Sequence, residues 1–228
     1  MKIEISLLVI ESVLLLFTIL LLLDSIKEGR SRSKLLLEVE RATKAFTRIE
    51  YFLAVVDSMS DARREVEGLI TGRHPGHIDK KRTDDILNAI EKAARNGVSV
   101  KYLLPRFHDR LYMGSLYAKA GAEVRYGGCP ILHDLRYMTV DDRMTVIGIP
   151  EDSEKEATKK GFQIVSEGLT SILREHFNHC WSSAISYEEY MKEVIRQTKA
   201  SPRHLALELK IEEKEIEKFY DGSDEPEQ

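Results

Sequence analysis

From Glu65 onward, short β-prone runs alternate with amphipathic stretches, and this alternation narrows the fold more than any other feature of the chain. Residues 66–71 read as a strand ending at Gly72-Arg73-His74-Pro75-Gly76-His77. Residues 83–96 have a helical apolar period and stop at Gly97. A nearly continuous apolar strand over 98–104 is ended by Pro105, a helix over 110–120 is closed by Gly121, and 122–126 is a third strand running into Gly127-Gly128. Strands separated by a helix cannot pair as hairpins, so these units imply a parallel sheet with helices packed on it. Residues 133–148 change the pattern. Two β-prone runs flank Asp141-Asp142-Arg143, a hairpin signal that adds antiparallel strands. After a charged loop over 151–160, residues 161–166 read as a strand. Residues 169–181 then read as a helix with apolar positions Leu169, Ile172, Leu173, Phe177 and Trp181, of which Phe177 and Trp181 are core candidates. The expected class is α/β, a mixed sheet flanked by helices.

Residues 5–23 are almost unbroken apolar sequence. About 19 residues at helical rise span roughly 28 Å, matching a hydrocarbon core of about 30 Å. Apolar side chains fall at every helical angle, which favours a transmembrane helix over a soluble amphipathic one. Glu4, Glu11 and the lack of a small-residue site before Asp24 argue against a cleaved signal peptide. Lys27, Arg30, Arg32 and Lys34 follow the span and only Lys2 precedes it, so the positive-inside rule places the rest of the chain in the cytoplasm of a single-pass cell-membrane protein. Glu11 costs about 2–3 kcal/mol if it faces lipid. It reads either as a helix–helix contact on the face it shares with Glu4 or as a protonated or snorkelling carboxyl.

The expected organisation is a transmembrane helix over 1–23, a juxtamembrane linker over 24–33 and a stalk or leading helix over 34–63. The α/β domain follows over 64–185, then C-terminal helices over 186–220 and a disordered tail over 221–228. In those C-terminal helices Leu205, Ala206, Leu209, Ile211 and Ile216 have the spacing of a helix-turn-helix core. The segment that would read DNA, 212–218, carries four glutamates against two lysines and would repel phosphate. A helical hairpin that packs or mediates contacts is expected there, and direct DNA binding is disfavoured. A net charge of −4 spread over 228 residues likewise offers no overall attraction for nucleic acid. Cys129 and Cys180 are far apart and match no metal or redox spacing, so two buried, reduced thiols in a cytosolic setting are expected. His74-Pro75-Gly76-His77 places no third ligand and reads as an exposed turn. Neither a metal nor a cofactor is expected.

Taken in succession, residues 64–185 resemble one half of the phospholipase D fold. Residues 86–100 are similar to that superfamily's helix into its A-x-x-x-G-V-x-V strand. Residues 120–124 (Ala-Gly-Ala-Glu-Val) and the hairpin follow, and 173–181 resemble the closing F-x-x-x-W helix. The family signature is H-x-K-x-x-x-x-D followed by a Gly-Ser turn. The best register here is Asp134-x-Arg136-x-x-x-x-Asp141, with Gly148-Ile149 in place of Gly-Ser. That family's chemistry needs a histidine nucleophile. A carboxylate at Asp134 would repel a phosphodiester, and Ile149 lacks the hydroxyl. His133 is one residue off and faces the other side of a regular strand, so an active site built on it needs a bulge. The run Arg136-Tyr137-Met138-Thr139-Val140-Asp141 is similar to the hairpin of archaeal TrmB-type regulators, in their non-catalytic ligand-binding domain.

The resemblance therefore implies a degenerate half-domain, a pseudoenzyme that binds rather than cleaves, and that pairs as a homodimer. Ligands of open α/β sheets bind at the carboxyl ends of the strands. Cationic and imidazole groups gather there, with Arg73, His74, His77, Arg106, His108 and Arg110 at the strand ends and His133 and Arg136 from the hairpin. Arg73, His74, Arg106, His108, His133, Arg136 and the neighbouring Asp134 are the candidate ligand-binding residues, for a small anionic or sugar-like ligand or a protein partner. The alternative is a homodimeric phosphodiesterase or nuclease using His133, with Asp141 as its acid.

Overall fold

A computed structural model describes residues 27, 33–36, 39, 43–73, 80–129, 135–150 and 158–220. The expected membrane span over 1–23, most of the 24–33 linker and the 221–228 tail lie outside the described residues. Among those described, no helix is long and apolar enough to cross a membrane. The chain divides into two compact units, Met1–Ala42 and Thr43–Gln228. In the first, residues 27, 33–36 and 39 are helical.

The second unit holds an eight-stranded sheet in the order β1-β7-β6-β5-β2-β3-β4-β8. Three parallel neighbours form its centre, namely β2 (Glu65–Leu69), β3 (Ser99–Pro105) and β4 (Glu123–Gly127). Their crossovers are α2 (Lys80–Arg95) and α3 (Leu111–Lys119). The hairpin stands as expected, with β5 (Arg136–Val140) antiparallel both to β6 (Met144–Pro150) and to β2. Strand β7 (Thr158–Val165) continues the antiparallel half, and β8 (Ile185–Ser186) closes the other edge against β4.

The helix expected over 34–63 is interrupted. Thr43–Thr47 is strand β1, paired antiparallel with β7 from Thr43↔Ile164 to Thr47↔Lys160. Its apolar residues fit a helical period, but two threonines in five residues suit a strand and the exposed edge of β7 supplies the partner. Only then does α1 (Arg48–Ser60) begin, its corner held by the Thr47 N–H, which donates to the Glu50 carboxylate at 2.8 Å. Helix α1 crosses β7 at Gly161. A Cβ there would lie 2.7 Å from Tyr51 Cβ, so glycine is what allows the close approach.

Side chains alternate across the sheet and divide the core in two. One face carries Val66, Val100, Tyr102, Leu104, Val124, Tyr126, Met138, Val140 and Val146, buried beneath α1, α2 and α3. The other carries Leu69, Leu103 and Tyr137 beneath α4 (Glu167–Ser182), which contributes Phe177 and Cys180. The expected core role of Phe177 holds, and Trp181 stacks on it with ring centroids 5.2 Å apart. Helices α5 (Tyr187–Thr198), α6 (Pro202–Leu209) and α7 (Glu213–Glu217) join the first face, where Leu205, Leu209, Ile211 and Ile216 are buried. Glu215 of α7 ties this helical hairpin to α3, accepting from Ser115 at 2.9 Å and pairing with Lys119 at 2.6 Å.

Candidate functional site

The carboxyl ends of β2 and β3 and the start of β5 come together at one edge of the sheet. Arg73 follows β2 through Gly72, whose φ of +57° is a left-handed turn suited to glycine. Arg110 closes the 3-10 turn His108–Arg110 that leads into α3. Arg136 opens β5 opposite Gly148. A Cβ on Gly72 would lie 3.8 Å from Arg110 Cδ, so the first two arginines are close neighbours. Burial lowers the affinity of both Arg110 and Arg136 for their protons. Arg73 adds to this at both sites, and Arg110 adds to it at Arg136. Each guanidinium stays charged, because arginine does not deprotonate in proteins. Three mutually repelling cations sit at one edge, and the acid paired with Arg110 is the largely exposed Asp109 at 2.7 Å. Arg110 is 9% exposed, and its Nε is buried without a hydrogen-bond partner among the described residues.

The other candidates separate from this cluster. Arg106 pairs with Glu193 and lies over the Tyr190 ring at 5.7 Å, so its charge is engaged by α5. His108 is exposed, 6.3 Å from the same ring. His74, His77, His133 and Asp134 lie outside the described residues.

Asp141, the acid of the alternative reading, has a structural role. It stands at the turn, one five-residue strand from Arg136 or about 16 Å away, at the amino end of β2. With φ of +50°, its buried carboxylate accepts the backbone N–H groups of Arg64 at 2.9 Å, Arg63 at 3.2 Å and Glu65 at 3.2 Å. This carboxylate is a structural clamp on the hairpin.

On the other face, Glu67 is buried between Lys101 Nζ at 3.4 Å and Arg174 Nε at 3.3 Å, and Arg174 also pairs with Glu65 and Asp142. Burial raises the Glu67 carboxyl above its ordinary value, and Lys101 offsets part of that rise. The native state therefore holds this proton more tightly than the unfolded chain does. Its contribution to stability is full below the ordinary pKa of 4.5 and is lost as pH rises through the raised native value. Glu67→Gln should remove that decline. In denaturant titrations across this range, the difference between variant and native chain should drift in the variant's favour as pH rises, and a constant difference would refute the assignment.

The two cysteines, expected as separate reduced thiols, form a disulfide with Cα atoms 5.7 Å apart. Their separation of 51 residues hid the pairing. Cys129 follows β4 and Cys180 lies in α4, and only the packing of α4 on the sheet joins them. His176, one turn before Cys180, brings Nε2 to 3.4 Å from Cys129 Sγ and 3.8 Å from Cys180 Sγ. Its i, i+4 spacing to Cys180 was the one available signal.

No family model and no curated protein matches the sequence. Solved structures do. Nuc from Salmonella typhimurium, a phospholipase D family member, superposes with a TM-score of 0.50 at 18% identity, over 64% of this chain and 97% of that one. NucT from Helicobacter pylori gives 0.49 at 13% identity, over 63% and 98% respectively. The archaeal chromatin protein TrmBL2 gives 0.43 at 20% identity, over 71% and 63%.

Proposed function

Because the chain has a phospholipase D-like fold, we propose that its strand-end edge is a binding site for a phosphate-bearing ligand and that the domain acts without phosphodiester cleavage. The observation that carries this reading is the convergence of Arg73, Arg110 and Arg136, with Arg110 Nε buried and unsatisfied among the described residues. Like charges held together in a partly buried edge cost stability, and a bound dianion offsets that cost while satisfying guanidinium donors in bidentate fashion. Against catalysis stand Asp134 in the nucleophile's register and Ile149 beside the β5–β6 pairing. Residues 1–23 anchor the protein in the cell membrane with the domain on the cytoplasmic side, and two copies associate. Ligand capture is then reported along the segment that joins domain to membrane.

The test uses the full chain in detergent micelles and calorimetric titration with inorganic phosphate, a sugar phosphate, a nucleoside monophosphate and the unphosphorylated sugar. The phosphorylated compounds should bind and the bare sugar should not. Arg136→Gln should weaken binding by about tenfold or more, the worth of one charged hydrogen bond. Equal binding of sugar and sugar phosphate would overturn the anion site. Turnover of an activated phosphodiester that disappears in His133→Ala would overturn the non-catalytic reading.

A further inference from the structure

The sulfur atoms of Cys129 and Cys180 and the His176 ring nitrogen lie within 4.8 Å of one another. They sit in a largely apolar pocket walled by Leu69, Leu103, Tyr137 and Phe177. The arginine edge belongs to the opposite face of β5, since Arg136 and Tyr137 are neighbours on one strand.

The tautomer of the imidazole follows from its hydrogen bonds. The Tyr137 hydroxyl is 2.9 Å from the Leu173 carbonyl and 2.8 Å from His176 Nδ1. A carbonyl can only accept, so the single phenolic proton goes to Leu173, and Nδ1–H must donate to the phenol oxygen. In the tautomer that this bond selects, Nε2 carries the lone pair and faces the two sulfurs. A hydrogen bond to one ring nitrogen that fixes the lone pair of the other is the usual arrangement of a metal-ligating histidine.

We propose that, in the reduced chain, Cys129 Sγ, Cys180 Sγ and His176 Nε2 form a zinc site, and that exchange with a low-molecular-weight disulfide, which takes up the two electrons and leaves as two thiols while zinc departs, replaces it with the protein disulfide. Zn–S bonds of about 2.3 Å and a Zn–N bond of about 2.0 Å require tetrahedral separations of about 3.8 Å between sulfurs and about 3.5 Å between nitrogen and sulfur. The two nitrogen–sulfur separations, 3.4 and 3.8 Å, already meet this requirement. Only the sulfur–sulfur bond has to open. A low-molecular-weight thiol supplies the two electrons. Two such thiols become one disulfide and their two protons pass to the cysteine sulfurs. Zinc then displaces both protons as the thiolates bind. Three protein ligands leave the fourth position for water or an incoming anion.

Cobalt(II) reports the site directly. The full chain in detergent, reduced with a phosphine and freed of excess reductant, should take up one cobalt ion with a thiolate-to-cobalt charge-transfer band, and zinc should displace it. The oxidised chain should bind none. Zinc should raise the melting temperature of the reduced chain alone. His176→Gln and Tyr137→Phe, each first shown to be folded in the oxidised state, should weaken zinc binding by about tenfold or more. A reduced chain with native near-ultraviolet circular dichroism but no charge-transfer band would overturn the site, as would unchanged affinity in His176→Gln. If reduction unfolds the chain, zinc should restore the native spectrum, and failure to do so overturns the proposal equally. The outcome is independent of whether the arginine edge binds phosphate.

Discussion

Cys180→Ser, measured against the oxidised chain with a chelator present, is expected to lower the unfolding free energy by about 4 kcal/mol. The disulfide closes a loop across a separation of 51 residues. That loop contains the hairpin, β7 and most of α4, so the unfolded chain regains most of its freedom when the link is lost. The native state also suffers, because Cys180 is only 7% exposed and serine brings a hydroxyl into an apolar pocket. Urea unfolding followed by circular dichroism checks the value, and reduction of the native chain in chelator should reproduce most of it. A midpoint that does not move would show that the two cysteines contribute to stability as ordinary buried side chains. The loss of about 4 kcal/mol is comparable with the whole stability of many domains. It would make the reduced protein depend on whatever else can hold α4 to β4, which is the role the zinc site would take.

Asp141→Ala should cost about 3 kcal/mol. The carboxylate accepts three consecutive backbone N–H groups, those of Arg63, Arg64 and Glu65, where the chain enters the central strand. Removing it strands donors that only partial entry of water can satisfy. Alanine is also less suited than aspartate to the positive φ at this turn. Asp141→Asn keeps an acceptor and tolerates the turn, so it should lose roughly half as much. Amide exchange locates the effect. Arg64 and Glu65 should exchange faster in Asp141→Ala, while amides of α6 remain near their native rates. A uniform increase across the domain would indicate a global loss of stability rather than a local clamp.

Both predictions rest on residues whose roles the chain reveals unequally. The hairpin was legible because β-branched and apolar runs flank a polar turn, and local preference agrees with the final structure there. Parallel β2, β3 and β4 were legible for the same reason, each strand being bounded by glycine or proline and each crossover having a clear helical period. Strand β1 was not. Thr43–Thr47 lies within a helical apolar pattern, and only the open edge of β7 makes the extended form preferable. Of the candidate ligand residues, Arg73 and Arg136 converge with Arg110, one of the strand-end cations. Arg106 was drawn away by a glutamate on α5, 87 residues later. No local rule predicts such a pairing.

The sequence by itself determined the α/β class, the order of the central elements and the hairpin. These depend on side-chain period and turn chemistry, which act over a few residues. The tertiary structure alone decided that the cysteines pair and that an imidazole faces them. It also decided that Asp141 clamps the far end of the sheet from Arg136. Those outcomes depend on how α4 and β2 dock across dozens of residues, and burial and alignment of hydrogen bonds exist only once that docking is complete.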